Sequence, residues 1–138
     1  MFSPFLLYFR PEMEHYTFKK DERLCSQIII GKLFTEGESF LSYPLKVVIL
    51  KTGLNSAFPA QTSFSVSKRN FKRAVHRNLI KRRMREAFRL NKIEFYQKLR
   101  SEEKQLAIMF IFIGKEISAY SEIEKGMKSA IHKILKRI

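Results

Sequence analysis

The stretch QLAIMFIFIG, residues 105–114, is a nearly unbroken apolar run of the length of one β-strand, and it ends in Gly114. A strand in a half-exposed sheet alternates apolar and polar residues, whereas a strand buried on both faces is apolar almost throughout. We therefore predict that residues 105–114 form a central strand whose sheet is covered on both sides.

Two further strands are indicated before this run. Residues 42–52 are rich in β-branched side chains, and residues 61–68 alternate polar and apolar side chains. A loop containing Gly, Asn and Pro separates them, and we predict that they are neighbouring antiparallel strands. A short segment around residues 39–41 completes a sheet of four strands.

Two helices are predicted on either side of these strands. Residues 21–36 carry apolar side chains at near-helical spacing, and Gly37 stands where a helix commonly ends. Residues 73–100 form a long helical region with a candidate break near Asn91. Both helices supply apolar side chains that can cover the sheet.

The C-terminal segment, residues 121–138, predicts a third, amphipathic helix. Ser121 and Glu124 stand in the register of a capping box at its start. The order of elements is thus α-β-β-β-α-β-α, which predicts an α+β sandwich of helices on a four-stranded sheet. We expect one domain over residues 17–138, preceded by a flexible N-terminal extension, residues 1–16.

Composition narrows the classes of function. The chain carries 27 Lys and Arg against 13 Asp and Glu, a formal net charge of +14, and such a field attracts polyanions, nucleic acid before anionic membrane. One cysteine, one aspartate and three separated histidines provide neither metal-ligand spacing nor the carboxylate cluster of a two-metal nuclease. We therefore expect no metal site and no catalytic residues in the protein.

The hydropathy of the chain indicates the cellular compartment that we expect for it. No stretch approaches the roughly twenty apolar residues of a membrane span. The apolar start of the chain lacks the basic region and the small-residue cleavage site of a signal peptide. We expect a cytoplasmic protein without membrane contact.

The segment 68–89 is the most basic part of the chain, with ten Lys and Arg residues against one acid, Glu86. At about 100° per residue, one arc of this helix is apolar and another is basic. The apolar arc contains Ile80, Met84, Ala87 and Phe88. The basic arc, called the basic face below, contains Arg77, Asn78, Lys81, Arg82, Arg85 and Arg89.

Like charges spaced i, i+4 on a helix repel one another by a few tenths of a kcal/mol. A face that stacks them favours a polyanionic partner over an ordinary solvated surface. The narrow apolar arc, which has no Trp, argues against a membrane surface, and the sheet-rich remainder of the chain argues against a helix-turn-helix. The basic face therefore predicts binding of nucleic acid.

The segment SVSKRNFKRAVHRNLIKRRMREAFR, residues 65–89, resembles the signature region of the bacterial ribonuclease P protein subunit, including its RNR motif. Residues 18–40, FKKDERLCSQIIIGKLFTEGESF, resemble the N-terminal helix region of that family, and YPLKVVIL, residues 43–50, resembles its first long strand. The resemblance covers about residues 18–135. It also implies a left-handed crossover between parallel strands, against the usual right-handed preference.

The resemblance implies a function in tRNA maturation. The partners would be the ribonuclease P catalytic RNA and precursor tRNA, from which the complex removes the 5′ leader. Mg²⁺ would be bound mainly by the RNA and not by the protein alone, with one monomeric protein per RNA. Another class of function stays open, that of a ribosomal or other structured-RNA-binding protein without a part in catalysis.

Site residues follow by position from the resemblance. Arg77, Asn78, Lys81, Arg82 and Arg85 match the RNA-contacting motif. Basic residues around the start of the helix and on its face extend this predicted surface, namely Lys68, Arg69, Arg73 and Arg89. Since the amide of Asn78 both donates and accepts hydrogen bonds, which no Arg or Lys does, we expect Asn78 to orient the basic face rather than to add attraction.

A cleft for the single-stranded leader is also implied. Phe34 matches an aromatic helix position of the family, while Ile30 and Val48 stand where some relatives carry Phe and Tyr, so the expected cleft floor is more aliphatic. Phe18 is a further candidate aromatic. The other interpretation of Phe34 is ordinary packing of a helix on the sheet.

Overall fold

A computed structural model describes residues 17–138 of the chain. Its elements follow one another in the predicted order, and the α+β class is confirmed. They are a 3-10 helix (Lys20–Glu22), α1 (Gln27–Glu36), β1 (Glu38–Ser42), β2 (Leu45–Lys51), β3 (Ala60–Val66), α2 (Ala74–Ser101), β4 (Leu106–Phe112) and α3 (Tyr120–Arg137).

The four strands form one mixed sheet in the order β1-β2-β4-β3. β4 pairs antiparallel with β2 and parallel with β3, which confirms the predicted central strand. The prediction that residues 42–52 and 61–68 are neighbouring strands is wrong, because β4 lies between them. Polarity explains the arrangement: one face of β3 presents the half-exposed Gln61, Ser63 and Ser65, which suits an edge strand, whereas β4 is apolar on both faces.

Side chains of β4 alternate between two hydrophobic cores. The larger core lies under α2 and α3, and the smaller core lies under α1 together with Leu24. β4 contributes Leu106, Ile108, Phe110 and Phe112 to the first and Ala107 and Met109 to the second. The sheet is thus covered on both sides, as the apolar run predicts.

Helix α2 connects β3 to β4, which are parallel neighbours in the sheet, and so forms the crossover of the fold. The left hand expected for this crossover stays a prediction. Among residues 17–138, no helix combines the length and the apolar character that crossing a membrane requires.

The first α-helix begins at Gln27 rather than at residue 21, so its predicted start is wrong. The backbone N–H of Leu24 donates to the carbonyl of Thr62 at 3.0 Å, and Arg23 forms a parallel bridge with Thr62. This pairing along the edge of β3 holds the chain extended. The helix starts only after Ser26, whose hydroxyl accepts from the N–H of Ile29 at 3.3 Å.

Glycine at position 37 ends α1 as predicted, but its backbone is extended rather than left-handed. A Cβ at this position would lie 2.3 Å from the carbonyl oxygen of Leu33 and 2.9 Å from a methyl group of Val48. Gly37 therefore allows the close approach between the end of α1 and strand β2 that no larger residue would permit.

The other two helices differ from their predicted limits in detail. Helix α2 is continuous through Asn91, so the predicted break is wrong, and the side-chain amide of Asn91 donates to the carbonyl of Ala87 at 2.7 Å, within the helix itself. The capping box predicted at Ser121 is wrong. Helix α3 begins at Tyr120, and its N-cap residue, Ala119, supplies no side-chain hydrogen bond.

A buried polar cluster ties the start of the described chain to α2. The side chains of Glu22 and Lys92 are completely buried and form an ion pair. Tyr96 donates its hydroxyl hydrogen to the same carboxylate at 2.8 Å, and the N–H of Lys19 donates to its other oxygen at 2.7 Å. The ammonium group of Lys92 also donates to the carbonyl of Thr17. This cluster anchors residues 17–22 on α2.

We predict that Lys92→Met destabilises the protein by about 3–5 kcal/mol, because it leaves the carboxylate of Glu22 buried without its cation. Urea unfolding of the full chain measures the change. The matched control is Lys98→Met on the exposed side of the same helix, which should shift the free energy of unfolding by less than about 0.5 kcal/mol. Equal midpoints for both variants would contradict this role for the buried pair.

Candidate nucleic-acid interface

The apolar arc of α2 seats the helix on the sheet. Ile80, Met84, Ala87 and Phe88 are completely buried in the larger core, as predicted. Fixing this arc against the sheet fixes the direction of the opposite arc. The basic face therefore projects from the molecule in one orientation.

Four residues of the basic face point outward and have no partner in the described part of the chain. Asn78, Arg82 and Arg85 are exposed and Lys81 is half-buried, and none of the four side chains makes a hydrogen bond or ion pair within residues 17–138. Their polar groups are available to a ligand. We call these four residues, Asn78, Lys81, Arg82 and Arg85, the open part of the basic face.

Arg77, unlike the open part of the basic face, is bonded to the protein's own backbone. Its guanidinium group donates to the backbone carbonyls of Phe71 at 2.7 Å and Lys72 at 2.8 Å, which links the first turn of α2 to the preceding loop. Phe71 is itself buried in the larger core. Arg77 therefore holds the loop that carries the exposed Lys68, Arg69 and Arg73.

Arg89 lies at the rim of the basic face and is paired with an acid. Its guanidinium group forms two hydrogen bonds with the carboxylate of Glu86, one of 3.0 Å and one of 2.5 Å. These bonds lower the pKa of Glu86, and they raise the pKa of Arg89. The positive charge of Arg89 is therefore offset locally, and it is a weaker point of attraction than the open part of the basic face.

Next to this pair, Tyr120 at the start of α3 donates to the carboxylate of Glu124 at 3.0 Å. The pKa of Tyr120 is raised to about 12, mainly by partial burial of the phenol and, to a smaller extent, by this hydrogen bond. The phenol is therefore neutral at physiological pH and keeps its role as a donor.

Arg83 serves the fold, a role that the sequence did not reveal. Its guanidinium group donates to the carbonyl of Ser118 at 2.6 Å, which connects α2 to the loop before α3. Its position in the helical repeat, outside the basic face, is the only sign of this in the sequence.

Three of the four residues predicted for the leader cleft, Ile30, Phe34 and Val48, lie on the α1 side of the sheet, and Phe18 does not. Ile30 and Phe34 are one turn apart on α1, and the ring of Phe34 is 63% exposed. Val48 is buried beneath α1 in the smaller core. Phe18 lies on the other side of the sheet, edge-on to the rings of Phe64 and Phe88 at centroid distances of 5.7 and 6.1 Å. Phe18 therefore belongs to the larger core rather than to a surface shared with Phe34.

Comparison with known proteins identifies the family of this chain. The sequence model of the family Ribonuclease P matches residues 18–138. The ribonuclease P protein component of Porphyromonas gingivalis is 35% identical over 115 residues, which is 83% of this chain and 84% of that protein. This chain belongs to the ribonuclease P protein family.

Solved structures of ribonuclease P proteins share the fold. The protein from Staphylococcus aureus superposes with a TM-score of 0.65 at 22% identity, over 85% of this chain and 97% of that one. The protein from Thermotoga maritima gives a TM-score of 0.62 at 25% identity, with the same coverage. The resemblance seen in the sequence is confirmed, while the roles carried over to individual residues stay predictions.

Possible metal ligands are dispersed over the described part of the chain. Among residues 17–138, no three His, Cys, Asp or Glu side chains lie close enough together to hold a metal ion.

We predict that Arg77→Ala loosens the loop before α2, because the carbonyls of Phe71 and Lys72 lose their donor. Hydrogen exchange of the backbone amides in residues 67–73 should become faster by roughly an order of magnitude, as expected for the loss of hydrogen bonds from a charged group. Arg82→Ala, which removes an exposed arginine of the same helix, is the matched control and should leave these amides unchanged. Similar exchange in both variants would show that Arg77 does not hold the loop.

Proposed function

We propose that this chain is the protein component of a ribonuclease P ribonucleoprotein, which removes the 5′ leader of precursor tRNA and whose RNA subunit carries the catalytic centre. The observation that carries the proposal is the open part of the basic face, displayed on the fold of this family. The proposal includes one protein per RNA and a place in the bacterial cytoplasm.

The chemistry of the basic face suits an RNA backbone. Two of its four open residues are arginines, whose planar guanidinium groups match phosphate oxygens in a forked geometry. Lys81 adds a compact charge beside them. Each phosphate contact releases counterions, so binding by such a face depends strongly on salt.

The protein contributes electrostatics rather than a nucleophile or a base. The catalytic RNA and precursor tRNA are both polyanions, and their mutual repulsion opposes assembly. Under the proposal, the net charge of +14 lowers this repulsion, and the Mg²⁺ of the complex is held mainly by the RNA. No step is assigned to an ion bound by the protein alone.

The leader is proposed to contact α1. An exposed phenyl ring such as that of Phe34 can stack on an unpaired base, worth about 1–3 kcal/mol per base. Ile30, one turn earlier, would contribute an aliphatic contact, and Val48 would support the helix from beneath.

Reconstitution tests the proposal directly. Addition of the purified protein to a bacterial ribonuclease P RNA and precursor tRNA at low Mg²⁺ should stimulate removal of the leader, because the protein lowers the electrostatic cost of assembly. The protein without the RNA should leave precursor tRNA intact. An RNA whose cleavage is indifferent to the protein would favour the other class of function, a structured-RNA-binding protein without a part in catalysis.

The salt dependence of RNA binding separates two roles on the basic face. Lys81→Ala should lower the slope of log affinity against log salt by about one unit, because one phosphate contact is lost. Asn78→Ala should weaken binding and leave the slope nearly unchanged, because the uncharged amide would bridge the RNA to its basic neighbours only in the complex. Filter binding between 50 and 200 mM salt gives both slopes, and equal changes in the two variants would refute this division.

A further inference from the structure

A second surface combines an exposed aromatic ring with basic side chains, at the sheet edge opposite β3. Tyr43 lies in the turn between β1 and β2 and is 73% exposed. Beside it opens a cavity of about 470 Å³ between this turn and α3, which we call the turn–helix pocket. Its lining consists of Ser42, Tyr43, Pro44, Glu122, Lys125, Gly126, Ser129 and Lys133.

The turn–helix pocket and the basic face lie on different flanks of the helical layer. Helix α2 packs on β3, whereas α3 packs on β1 and β2. On α3, Lys128 and His132 line the groove shared with α2, while Ser129 and Lys133 line the flank away from α2. A ligand in the turn–helix pocket therefore does not compete for space with a ligand on the basic face.

The turn is fixed against α3 by close contacts. A Cβ at position 126 would lie 2.9 Å from both a ring carbon of Pro44 and the carbonyl oxygen of Tyr43, so Gly126 lets the turn sit directly on the helix. The hydroxyl of Ser42 donates to the carbonyl of Gly126 at 2.8 Å. The ammonium group of Lys133 donates to the carbonyl of Leu41 at 2.9 Å. These contacts present the ring of Tyr43 to solvent from a rigid support.

The charges of the pocket favour an anion near Lys125. This side chain is exposed and makes no ion pair or hydrogen bond within residues 17–138. Lys133 keeps two of its three N–H donors, and Ser129 adds a hydroxyl group at the same wall. Glu122 at the rim repels anions, so a phosphate group would bind on the Lys125 and Lys133 side.

We propose that the turn–helix pocket is a second RNA contact, in which an unpaired base stacks on Tyr43 while Lys125 and Lys133 contact the adjoining phosphates. A basic groove with an aromatic platform is the usual composition of a site for single-stranded nucleic acid. The proposal rests on the proposed function, since the same RNA would reach both surfaces. Binding at two separate surfaces raises affinity through effective concentration without any change in either contact.

The natural chain contains no tryptophan, so Tyr43→Trp introduces one fluorophore at the proposed stacking position. Titration of this variant with a bacterial ribonuclease P RNA should quench its emission as a base stacks on the indole. Ser101→Trp, at the exposed C-terminal end of α2 and at the opposite end of the sheet from Tyr43, is the matched reporter outside the pocket and should change little. Complete RNA binding, seen by gel shift, with no quenching of the Tyr43→Trp protein would overturn the inference and leave the proposed function standing.

Affinity measurements give the second arm of the test. Tyr43→Ala should weaken binding to the same RNA on the order of tenfold, while Tyr43→Phe, which keeps the ring, should bind like the parent. Lys125→Ala should lower the salt slope by about one unit. Lys128→Ala is the control, because it removes an equal charge from the other flank of α3 and should leave the slope unchanged. There the Nζ atom of Lys128 lies 3.8 Å from a carboxylate oxygen of Glu124.

The outcomes separate the two proposals. Equal slopes for Lys125→Ala and Lys128→Ala, or equal affinities for Tyr43→Ala and the parent, would remove the second contact only. Failure of the parent protein to bind the RNA at all would overturn both the second contact and the proposed function. Thermal unfolding of each variant confirms that these exposed substitutions leave the fold intact.

Discussion

Strand β4 is apolar on both faces, and the rest of the fold follows from the need to cover it. A strand of this kind is stable only between two neighbours and between two layers. β2 and β3 supply the neighbours, α1 covers one face, and α2 with α3 covers the other. Because α2 is held by its apolar arc on that core, its basic arc is directed away from the sheet. The surface proposed to bind RNA thus owes its direction to the burial of β4.

The basic residues of α2 fall into two groups with different roles. Lys92, Arg77 and Arg83 bind carboxylate or carbonyl groups of the protein itself and hold neighbouring segments in place. The open part of the basic face makes no such contacts within residues 17–138. Composition counts both groups equally, so the charge of the segment overstates the charge that is available to a ligand.

The sequence predicted what depends on local pattern. The apolar run at residues 105–114 identified the central strand, and the helical repeat identified the apolar arc of α2, because burial leaves a direct mark on residue type. Pairing between distant segments leaves no such mark. The place of β4 between β2 and β3, and the pairing of Leu24 with Thr62 that delays the start of α1, therefore required the structure.

For the candidate site as well, the sequence predicted the local pattern and not the contacts between segments. Helical geometry placed Asn78, Lys81, Arg82 and Arg85 on one outward arc, but it could not show that Arg77 bonds to the loop before α2 or that Arg89 is paired with Glu86. Long flexible side chains reach groups that a helical projection does not contain. Phe18 was assigned to the leader cleft because it is an aromatic residue that precedes the first helix. It lies in the other core because the chain crosses the edge of β3 between Phe18 and α1.

The order of the strands also has a consequence for synthesis of the chain. The central position of the sheet is filled by the last strand to leave the ribosome, since β4 follows β1, β2 and β3 in the sequence. Until residues 106–112 emerge, the strand that joins the β1–β2 pair to β3 is missing, and one edge of β2 stays unpaired. Unpaired strand edges are templates for association with other chains. The nascent protein therefore exposes an unpaired edge of β2 until β4 has emerged and inserted into the sheet.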